Sequence, residues 1–229
     1  MISERLDQIL NNIDECSKRS PYGQKVTLVA VSKTHPCEYI QEAYDCGCRD
    51  FGENKVQELQ DKIPQLPSDI RWHMIGHLQT NKVKYIVGQV YLIHSVDSVK
   101  LAREIENQAA KKNITVNILV QVNVSGEESK FGIDRESVVE MVKEISLMEH
   151  IRVMGLMTIA PAVENPENCR EFFRELRNLS IDIEAMKIDN IRMEFLSMGM
   201  SGDYEVAIEE GATMVRIGTS IFGHRDYNI

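Results

Sequence analysis

The sequence predicts an α/β fold: a single-domain (β/α)₈ barrel of the TIM type with one extra helix at its N-terminus. Eight short runs of apolar and β-branched residues alternate with helical segments, as a closed parallel barrel requires. The first run, residues 26–31, is apolar on both faces, which is typical of a parallel strand covered on each side. No proline-rich, serine-rich or low-complexity segment divides residues 1–229, so we expect one domain. An open, doubly wound sheet with fewer strands is the alternative.

The N-terminal half of the chain supplies the extra helix and four strand-helix units. Ser3 can cap the extra helix, and Asp97 can cap the helix that follows the fourth strand. The apolar residues at helical spacing in the extra helix are Leu6, Ile9, Leu10 and Ile13. The predicted strands are 26–33, 50–52, 71–76 and 90–95, and the helices that follow them are 38–46, 55–63, 78–86 and 97–112.

The C-terminal half supplies four more strands and the helices between them. A charged loop at residues 127–130 follows the fifth strand, and we expect it at a solvated rim. The predicted strands are 116–124, 153–157, 192–198 and 213–217, and the helices between them are 135–148, 166–179 and 204–210.

Lys33 stands at the exit of the first predicted strand. Period-two alternation places Thr27, Val29, Val31 and Lys33 on one face, and Pro36 indicates that the strand has ended by then. Apolar surroundings disfavour the ammonium form, so we expect a lowered pKa and an amine that can attack carbonyl groups. The sequence therefore predicts a Schiff-base lysine. The alternative is a lysine whose stem lies on the strand and whose ammonium reaches water.

Two loops that combine glycine with hydroxyl residues follow the seventh and eighth strands, at residues 197–203 and 216–220. These strand ends often bind phosphate in barrels, because backbone N–H groups, hydroxyls and helix N-termini meet there. Asp203 opposes this interpretation, since a first-turn acid can simply stabilise its own helix. A phosphate anchor opposite a nucleophilic lysine suggests pyridoxal 5′-phosphate bonded to Lys33. A Schiff-base aldolase with a phosphorylated substrate is a further alternative.

The composition indicates which classes of partner and which cellular compartment to expect. The formal net charge is -9 and there is no basic patch, so we do not expect nucleic acid binding. Five cysteines without a CxxC pair are typical of reduced thiols in a cytoplasmic protein. The charged N-terminus and the lack of a long apolar run predict neither a signal peptide nor a membrane anchor. Nothing resembles a coiled coil, and we expect a monomer.

Three histidines are candidate site residues. His73 and His77 have a spacing that suits a metal on a helix, but here they straddle a strand end and a glycine, so we expect no metal site. His94 is interpreted as an ordinary strand-end histidine.

Seven ordered blocks of the sequence carry a family resemblance. The sequence resembles the YggS/PROSC family of pyridoxal-phosphate-binding proteins, which are relatives of the N-terminal barrel of alanine racemase. The resemblance spans nearly the whole chain and implies the same barrel fold. The blocks are residues 29–33, 51–54, 72–82, 94–97, 155–157, 196–201 and 215–223.

The resemblance implies roles for six residues around the cofactor. Lys33 forms the Schiff base, Asn54 lines the pocket and Arg216 points at the pyridine nitrogen. The residues that it implies for phosphate binding are Ser201, Gly218 and Thr219. A guanidinium keeps its proton at working pH, so it leaves the ring nitrogen unprotonated and weakens the ring as an electron sink.

Catalytic turnover is therefore expected to be weak or absent. A racemase needs acid-base groups on both faces of the substrate carbon. In alanine racemase one of them comes from beyond the barrel, and we expect no such second domain here, because the sequence ends at Ile229 just after the barrel. The resulting hypothesis is a pyridoxal phosphate homeostasis or delivery protein, without catalytic residues, whose partners are apo forms of pyridoxal-phosphate-dependent enzymes. The alternative is a monofunctional amino-acid racemase.

Overall fold

Eight parallel strands close into a barrel at the centre of the molecule. The structure, a computed structural model, describes residues 1–127 and 131–223. The strands follow the order β1-β2-β3-β4-β5-β7-β8-β9, and β9 pairs with β1 to close the ring, which confirms the predicted barrel. The two-residue β6 pairs only with the end of β5. The strands are β1 Thr27–Val31, β2 Asp50–Glu53, β3 Arg71–Met74, β4 Leu92–Val96, β5 Val116–Asn123, β6 Ile133–Asp134, β7 Ile151–Met157, β8 Ile191–Ser197 and β9 Met214–Ile217.

Helices surround the barrel and cover the outward faces of its strands. The extra helix α1 packs against α2, α8 and α9. Across residues 1–127 and 131–223, no helix combines the length and the apolar character needed to cross a membrane. The helices are α1 Ile2–Arg19, α2 Cys37–Asp45, α3 Val56–Lys62, α4 Val83–Ile86, α5 Val99–Lys112, α6 Val138–Ile145, α7 Arg170–Ala185, α8 Tyr204–Glu209 and α9 Thr219–Phe222.

Period-two alternation divides the strand side chains between two apolar regions. In β1, Leu28 and Ala30 belong to the large core that the strands share with the helices, whereas Val29 packs near Gly52 of the neighbouring strand. A smaller cluster is built from strand residues alone and fills the interior of the barrel. Its fully buried or nearly buried members are Leu92, Leu119, Met154, Met157 and Met214.

Several predicted boundaries were wrong by a few residues. Helix α1 begins at Ile2 rather than after a Ser3 cap, and its Leu10 is 41% exposed. Ser98, not Asp97, caps α5, because its side chain accepts a hydrogen bond from the backbone N–H of Leu101. The fourth helix is reduced to one turn, α4, and α7 continues six residues beyond its predicted end. Most of the charged loop predicted at 127–130 lies outside the described residues.

Gly155 occupies a position in β7 that no other residue should tolerate. Its φ is +150°, and an added Cβ would lie 2.7 Å from the carbonyl carbon of Phe195 and closer still to the carbonyl oxygen. We expect Gly155→Ala to lower the free energy of unfolding by about 3 kcal/mol or more. Urea unfolding followed by circular dichroism measures this loss.

Gly23→Ala is the matched control for that substitution. Gly23 also has a positive φ, but an added Cβ meets nothing within 4 Å. We expect this control to cost only about 1 kcal/mol, the cost of the backbone conformation alone. Equal losses in the two variants would contradict the steric explanation for Gly155.

Candidate functional site

A cavity of about 340 Å³ opens where six neighbouring strands end: β3, β2, β1, β9, β8 and β7. Its apolar lining includes Val31, Ile75 and Ile159. The same cavity brings together all six residues singled out from the sequence: Lys33, Asn54, Ser201, Arg216, Gly218 and Thr219. Because the carboxyl ends of parallel strands share one edge of a barrel, residues far apart in sequence converge here.

Lys33 enters the cavity from a turn rather than from the strand itself. Strand β1 ends at Val31, two residues earlier than predicted, although the Ser32 N–H still donates to the Gly52 carbonyl at 3.1 Å. Thr34 then adopts a left-handed conformation, with φ 67°. The chain therefore turns sharply at the lysine, whose half-buried side chain lines the cavity beside Val31.

Three charged side chains lie beneath this turn. The Lys62 ammonium donates to the Ser32 carbonyl oxygen at 2.9 Å, to Glu53 Oε1 at 2.7 Å and to Glu58 Oε2 at 3.0 Å. Glu53 Oε1 also accepts from the Ser32 hydroxyl at 2.6 Å, and Glu58 Oε2 accepts from the Thr34 backbone N–H at 2.6 Å. These bonds tie the backbone on both sides of the lysine to α3 and β2.

Glu53 is fully buried, and its Oε2 atom has no hydrogen-bond partner among residues 1–127 and 131–223. Burial raises the pKa of its carboxyl group to about 7, although Lys62 opposes the shift. A carboxyl group with a raised pKa in the folded state favours folding when protonated. This stability is fully present below the ordinary carboxyl pKa and is lost as the pH rises through 7.

The variant Glu53→Gln tests this titration, because a glutamine side chain stays neutral. We expect the free energy of unfolding of the variant, relative to wild type, to rise by about 2 kcal/mol between pH 5 and pH 8. Denaturant unfolding at several pH values in this window measures the difference. Parallel stability curves for the two proteins would show that Glu53 does not titrate there.

The two loops predicted to bind an anion contact each other at the opposite wall. The Gly218 N–H donates to the Ser201 hydroxyl at 3.4 Å, and the Arg216 N–H donates to the Gly199 carbonyl oxygen at 2.9 Å. An added Cβ at Gly218 would lie 3.0 Å from the Val31 carbonyl oxygen. Glycine is thus what allows the last loop to approach β1, and it leaves backbone and hydroxyl donors at the cavity wall.

The helices after these two loops are short. Helix α8 has six residues and α9 has four, so long helix dipoles do not support an anion here. Asp203 serves its own loop, because its Oδ1 accepts from the Met200 N–H at 2.6 Å. Burial raises the pKa of Asp203, while this hydrogen bond opposes the shift. The donors available to an anion are local N–H groups and the hydroxyls of Ser201 and Thr219.

Arg216 lies at the inner end of the cavity and is 4% exposed. Its Nη1 atom donates to the Ser197 hydroxyl at 2.6 Å and its Nη2 atom to the Thr158 carbonyl oxygen at 2.8 Å. Burial lowers the pKa of its guanidinium to about 10, and the charge of Asp203 opposes the shift. Arg216 is therefore a fixed cation at neutral pH.

A buried chain of hydrogen bonds connects Arg216 to the far side of the barrel. His94 Nδ1 lies 2.9 Å from the Ser197 hydroxyl, and His94 Nε2 lies 2.9 Å from His73 Nδ1. His73 Nε2 lies 3.0 Å from Asp50 Oδ1. The chain crosses β9, β8, β4, β3 and β2, so side chains of five strands form one polar path through an otherwise apolar interior.

The two ends of this chain fix where its protons lie. A guanidinium only donates and a carboxylate only accepts. His73 therefore donates from Nε2 to Asp50 and accepts at Nδ1 from His94, whose own Nδ1 accepts from the Ser197 hydroxyl. Every link then carries one proton and both rings are neutral. Burial lowers the pKa of His73, and it lowers the pKa of His94 to well below the usual value.

Asp50 is the anion at the outer end of the chain. Burial opposes its ionisation, but hydrogen bonds from Arg71 and His73 hold the pKa of the carboxyl group below its usual value. Arg71 Nε donates to Asp50 Oδ1 at 2.7 Å, and the Arg71 side chain is half exposed. The polar path thus begins at a surface ion pair and ends at the buried cation of the cavity.

This chain is the part of the site that sequence reasoning missed. The interpretation of His94 as an ordinary strand-end histidine was wrong, because its ring lies fully buried between His73 and Ser197. His77, in contrast, stacks on Phe131 with ring centroids 4.2 Å apart. The available signal was a set of polar residues inside otherwise apolar strands.

Comparison with known proteins gives full-length matches. The family model described as alanine racemase, N-terminal domain, matches residues 5–226. The pyridoxal phosphate homeostasis protein of Aquifex aeolicus is 48% identical over 226 residues, which cover 98% of each chain. The protein of the same name from Escherichia coli K12 is 38% identical over 234 residues, which cover 99% of this chain and 98% of the relative.

Solved structures give the same result. PipY from Synechococcus elongatus, solved with PLP bound, aligns with a TM-score of 0.83 at 34% identity, over 97% of this chain and 100% of PipY. An alanine racemase from Clostridium difficile has a TM-score of 0.76 at 16% identity, over 98% of this chain and 58% of the racemase, and this likeness shows the fold alone. The chain therefore belongs to the alanine racemase N-terminal domain family and, within it, to the group of the pyridoxal phosphate homeostasis proteins, as the seven sequence blocks indicated.

Proposed function

We propose that this protein binds pyridoxal 5′-phosphate as a Schiff base on Lys33 and serves in the homeostasis or delivery of this cofactor, with little or no turnover. One observation carries the proposal: a single cavity presents the Lys33 amine, the hydroxyl and N–H donors of two loops, and the buried Arg216 cation. The names of the relatives and the PLP-bound PipY structure support the same ligand.

Each part of the proposed ligand finds a group of matching chemistry in the cavity. The aldehyde condenses with the Lys33 amine and releases water. The phosphate takes hydrogen bonds from Ser201, Gly218 and Thr219, whose loops lie against each other. Asn54 and the apolar wall enclose the ring, and the Arg216 guanidinium faces its pyridine nitrogen.

The lack of turnover is proposed from the same residues. Arg216 is held by Ser197 and Thr158 and keeps its proton, so it cannot protonate the ring nitrogen and favours a weak electron sink. His35 also lines the cavity. Lys33 and His35 both come directly after β1, so their side chains reach the cavity from the same wall. A racemase needs acid-base groups on opposite faces of the substrate carbon.

A titration of the purified protein with pyridoxal phosphate, followed by borohydride reduction, tests the binding. We expect a near-visible absorbance band and, after reduction, a covalent adduct on the peptide that contains Lys33. A protein that stays colourless with excess cofactor would contradict the proposal.

Delivery and racemisation are separated by a second experiment. We expect the loaded protein to restore the activity of an apo form of a pyridoxal-phosphate-dependent enzyme, without inverting an added L-amino acid. Inversion that depends on Lys33 would instead favour the racemase alternative.

We also propose that the chain acts as a monomeric, single-domain protein in the cytoplasm. All five cysteines lie in the described part of the chain and none of them forms a disulfide there, which suits a reducing compartment. Sedimentation of the loaded protein tests the oligomeric state.

A further inference from the structure

The turn that carries Lys33 is attached to the rest of the barrel on both of its sides. We call residues 32–34 the Lys33 turn, and Glu53, Glu58 and Lys62 the carboxylate-lysine cluster. Before the lysine, Ser32 is bound through its carbonyl oxygen by Lys62 and through its hydroxyl by Glu53. After the lysine, the Thr34 N–H is bound by Glu58. The proposed ligand contacts described above use none of the three cluster residues.

The backbone of this turn needs such attachments. Thr34 has φ 67°, a left-handed conformation that a β-branched residue rarely adopts. Strained backbone of this kind persists where the surrounding contacts hold it, and it is found often at functional sites. The N–H of the strained residue itself donates to Glu58 at 2.6 Å, so this contact acts directly at the strained residue.

Burial strengthens the hydrogen bonds between the carboxylate-lysine cluster and the Lys33 turn, and it makes other arrangements of these groups costly. The side chains of Glu53, Lys62 and Glu58 are 0%, 9% and 19% exposed. Hydrogen bonds between charged groups are stronger in such surroundings, and an unpaired partner is correspondingly costly. Lys62 has three hydrogens on its ammonium and three acceptors around it, two of them carboxylates and one the backbone of the Lys33 turn.

We propose that Glu58, Lys62 and Glu53 are positioning residues that hold the Lys33 turn so that the lysine amine faces the cofactor's aldehyde. The inference rests on the proposed function and deepens it. The cluster acts only through the backbone of the turn, since its side chains lie on α3 and at the end of β2, outside the cavity lining. It should therefore matter for the covalent step and not for the anchoring of the phosphate and the ring.

Two ligands distinguish the covalent step from the anchoring of the phosphate and the ring. Pyridoxal 5′-phosphate uses the amine, whereas the analogue in which a methyl group replaces the aldehyde uses only the phosphate and ring contacts. We expect Glu58→Ala to weaken binding of pyridoxal phosphate by about tenfold and to slow the formation of the borohydride-trapped adduct, while binding of the analogue changes by less than about twofold.

The variant Glu58→Gln is the conservative rescue, because its amide oxygen can still accept from the Thr34 N–H. We expect it to recover most of the lost affinity for pyridoxal phosphate. Asp61→Ala is the matched control, since Asp61 is an exposed acid on the same helix whose side chain contacts Gln57. We expect this control to bind both ligands like wild type. If Glu58→Ala does not fold, Lys62→Gln tests the same prediction from the other side of the turn.

The outcomes distinguish the inference from the function on which it rests. A wild-type protein that binds the analogue but forms no adduct with pyridoxal phosphate would overturn the proposed Schiff base and this inference with it. A wild type that forms the adduct, with a Glu58→Ala variant that binds and reacts equally well, would overturn the inference alone. If Glu58→Ala weakened the binding of both ligands equally, the inference would also be overturned, because the cluster would then support the whole site rather than the position of the amine.

Discussion

Replacing Lys33 with alanine is expected to abolish the near-visible absorbance band and the borohydride-trapped adduct completely. The amine is the part of the proposed contact set that condenses with an aldehyde, and among the described residues that line the cavity Lys33 alone supplies a primary amine. We also expect the dissociation constant for pyridoxal phosphate to rise by at least about tenfold, because even a noncovalent contact with a charged group is worth about 1.5 kcal/mol. Absorbance titration and mass analysis of the reduced peptides measure both effects.

The matched control for this substitution lies at the other end of the same strand. Lys25 is exposed and precedes β1, so Lys25→Ala removes a lysine without touching the cavity. We expect the control to keep the band, the adduct and the affinity of wild type. A band that survives in Lys33→Ala would place the covalent bond on another amine and contradict the proposed site.

The convergence of the six cavity residues could be predicted because it depends on simple rules. Buried parallel strands are recognisable from runs of apolar and β-branched residues, and the ends of such strands meet at one edge of a barrel. Lys33 and the loops at Ser201 and Gly218 follow three different strands, and this geometry brings them together. Their roles toward a ligand remain predictions.

The end of β1 and the burial of the carboxylate-lysine cluster could not be predicted, because both depend on contacts that sequence patterns do not encode. The alternation of Val29, Val31 and Lys33 suggested a strand through the lysine, but the left-handed Thr34 ends it earlier. Glu58 and Lys62 stand four residues apart on a helix, which usually indicates an exposed ion pair. Lys62 is buried and Glu58 is half-buried because the turn after β1 lies on top of them.

The polar chain inside the barrel escaped prediction for a related reason. His94 and Ser197 are 103 residues apart, and only closure of the barrel brings their side chains within 2.9 Å. A single polar residue in an apolar strand can face the helices, the interior or a strand end, and the sequence does not distinguish these positions. Asp50, His73 and His94 become one structure only when β2, β3 and β4 are placed side by side.

Replacing His94 with phenylalanine is expected to cause a large loss of stability. The ring would keep its apolar volume, but it would leave His73 Nδ1 without its donor and the Ser197 O–H without its acceptor in a fully buried region. Each such group costs about 1–3 kcal/mol. We therefore expect the free energy of unfolding to fall by about 2–5 kcal/mol, which corresponds to a decrease in Tm of roughly 5–15 °C.

Two further variants decide whether the loss comes from the hydrogen-bond chain. His94→Gln keeps one donor and one acceptor, so we expect it to lose less than half as much stability and to bind pyridoxal phosphate more tightly than His94→Phe does. His150→Phe removes a half-buried histidine that contacts Glu106 at 2.9 Å outside this chain, and it measures the cost of losing an ordinary histidine contact.

Because Ser197 links His94 to Arg216, loss of the histidine should also loosen the guanidinium that faces the cavity. If His94→Phe and His94→Gln were equally stable and bound the cofactor equally well, the chain would not be what holds Arg216 in place.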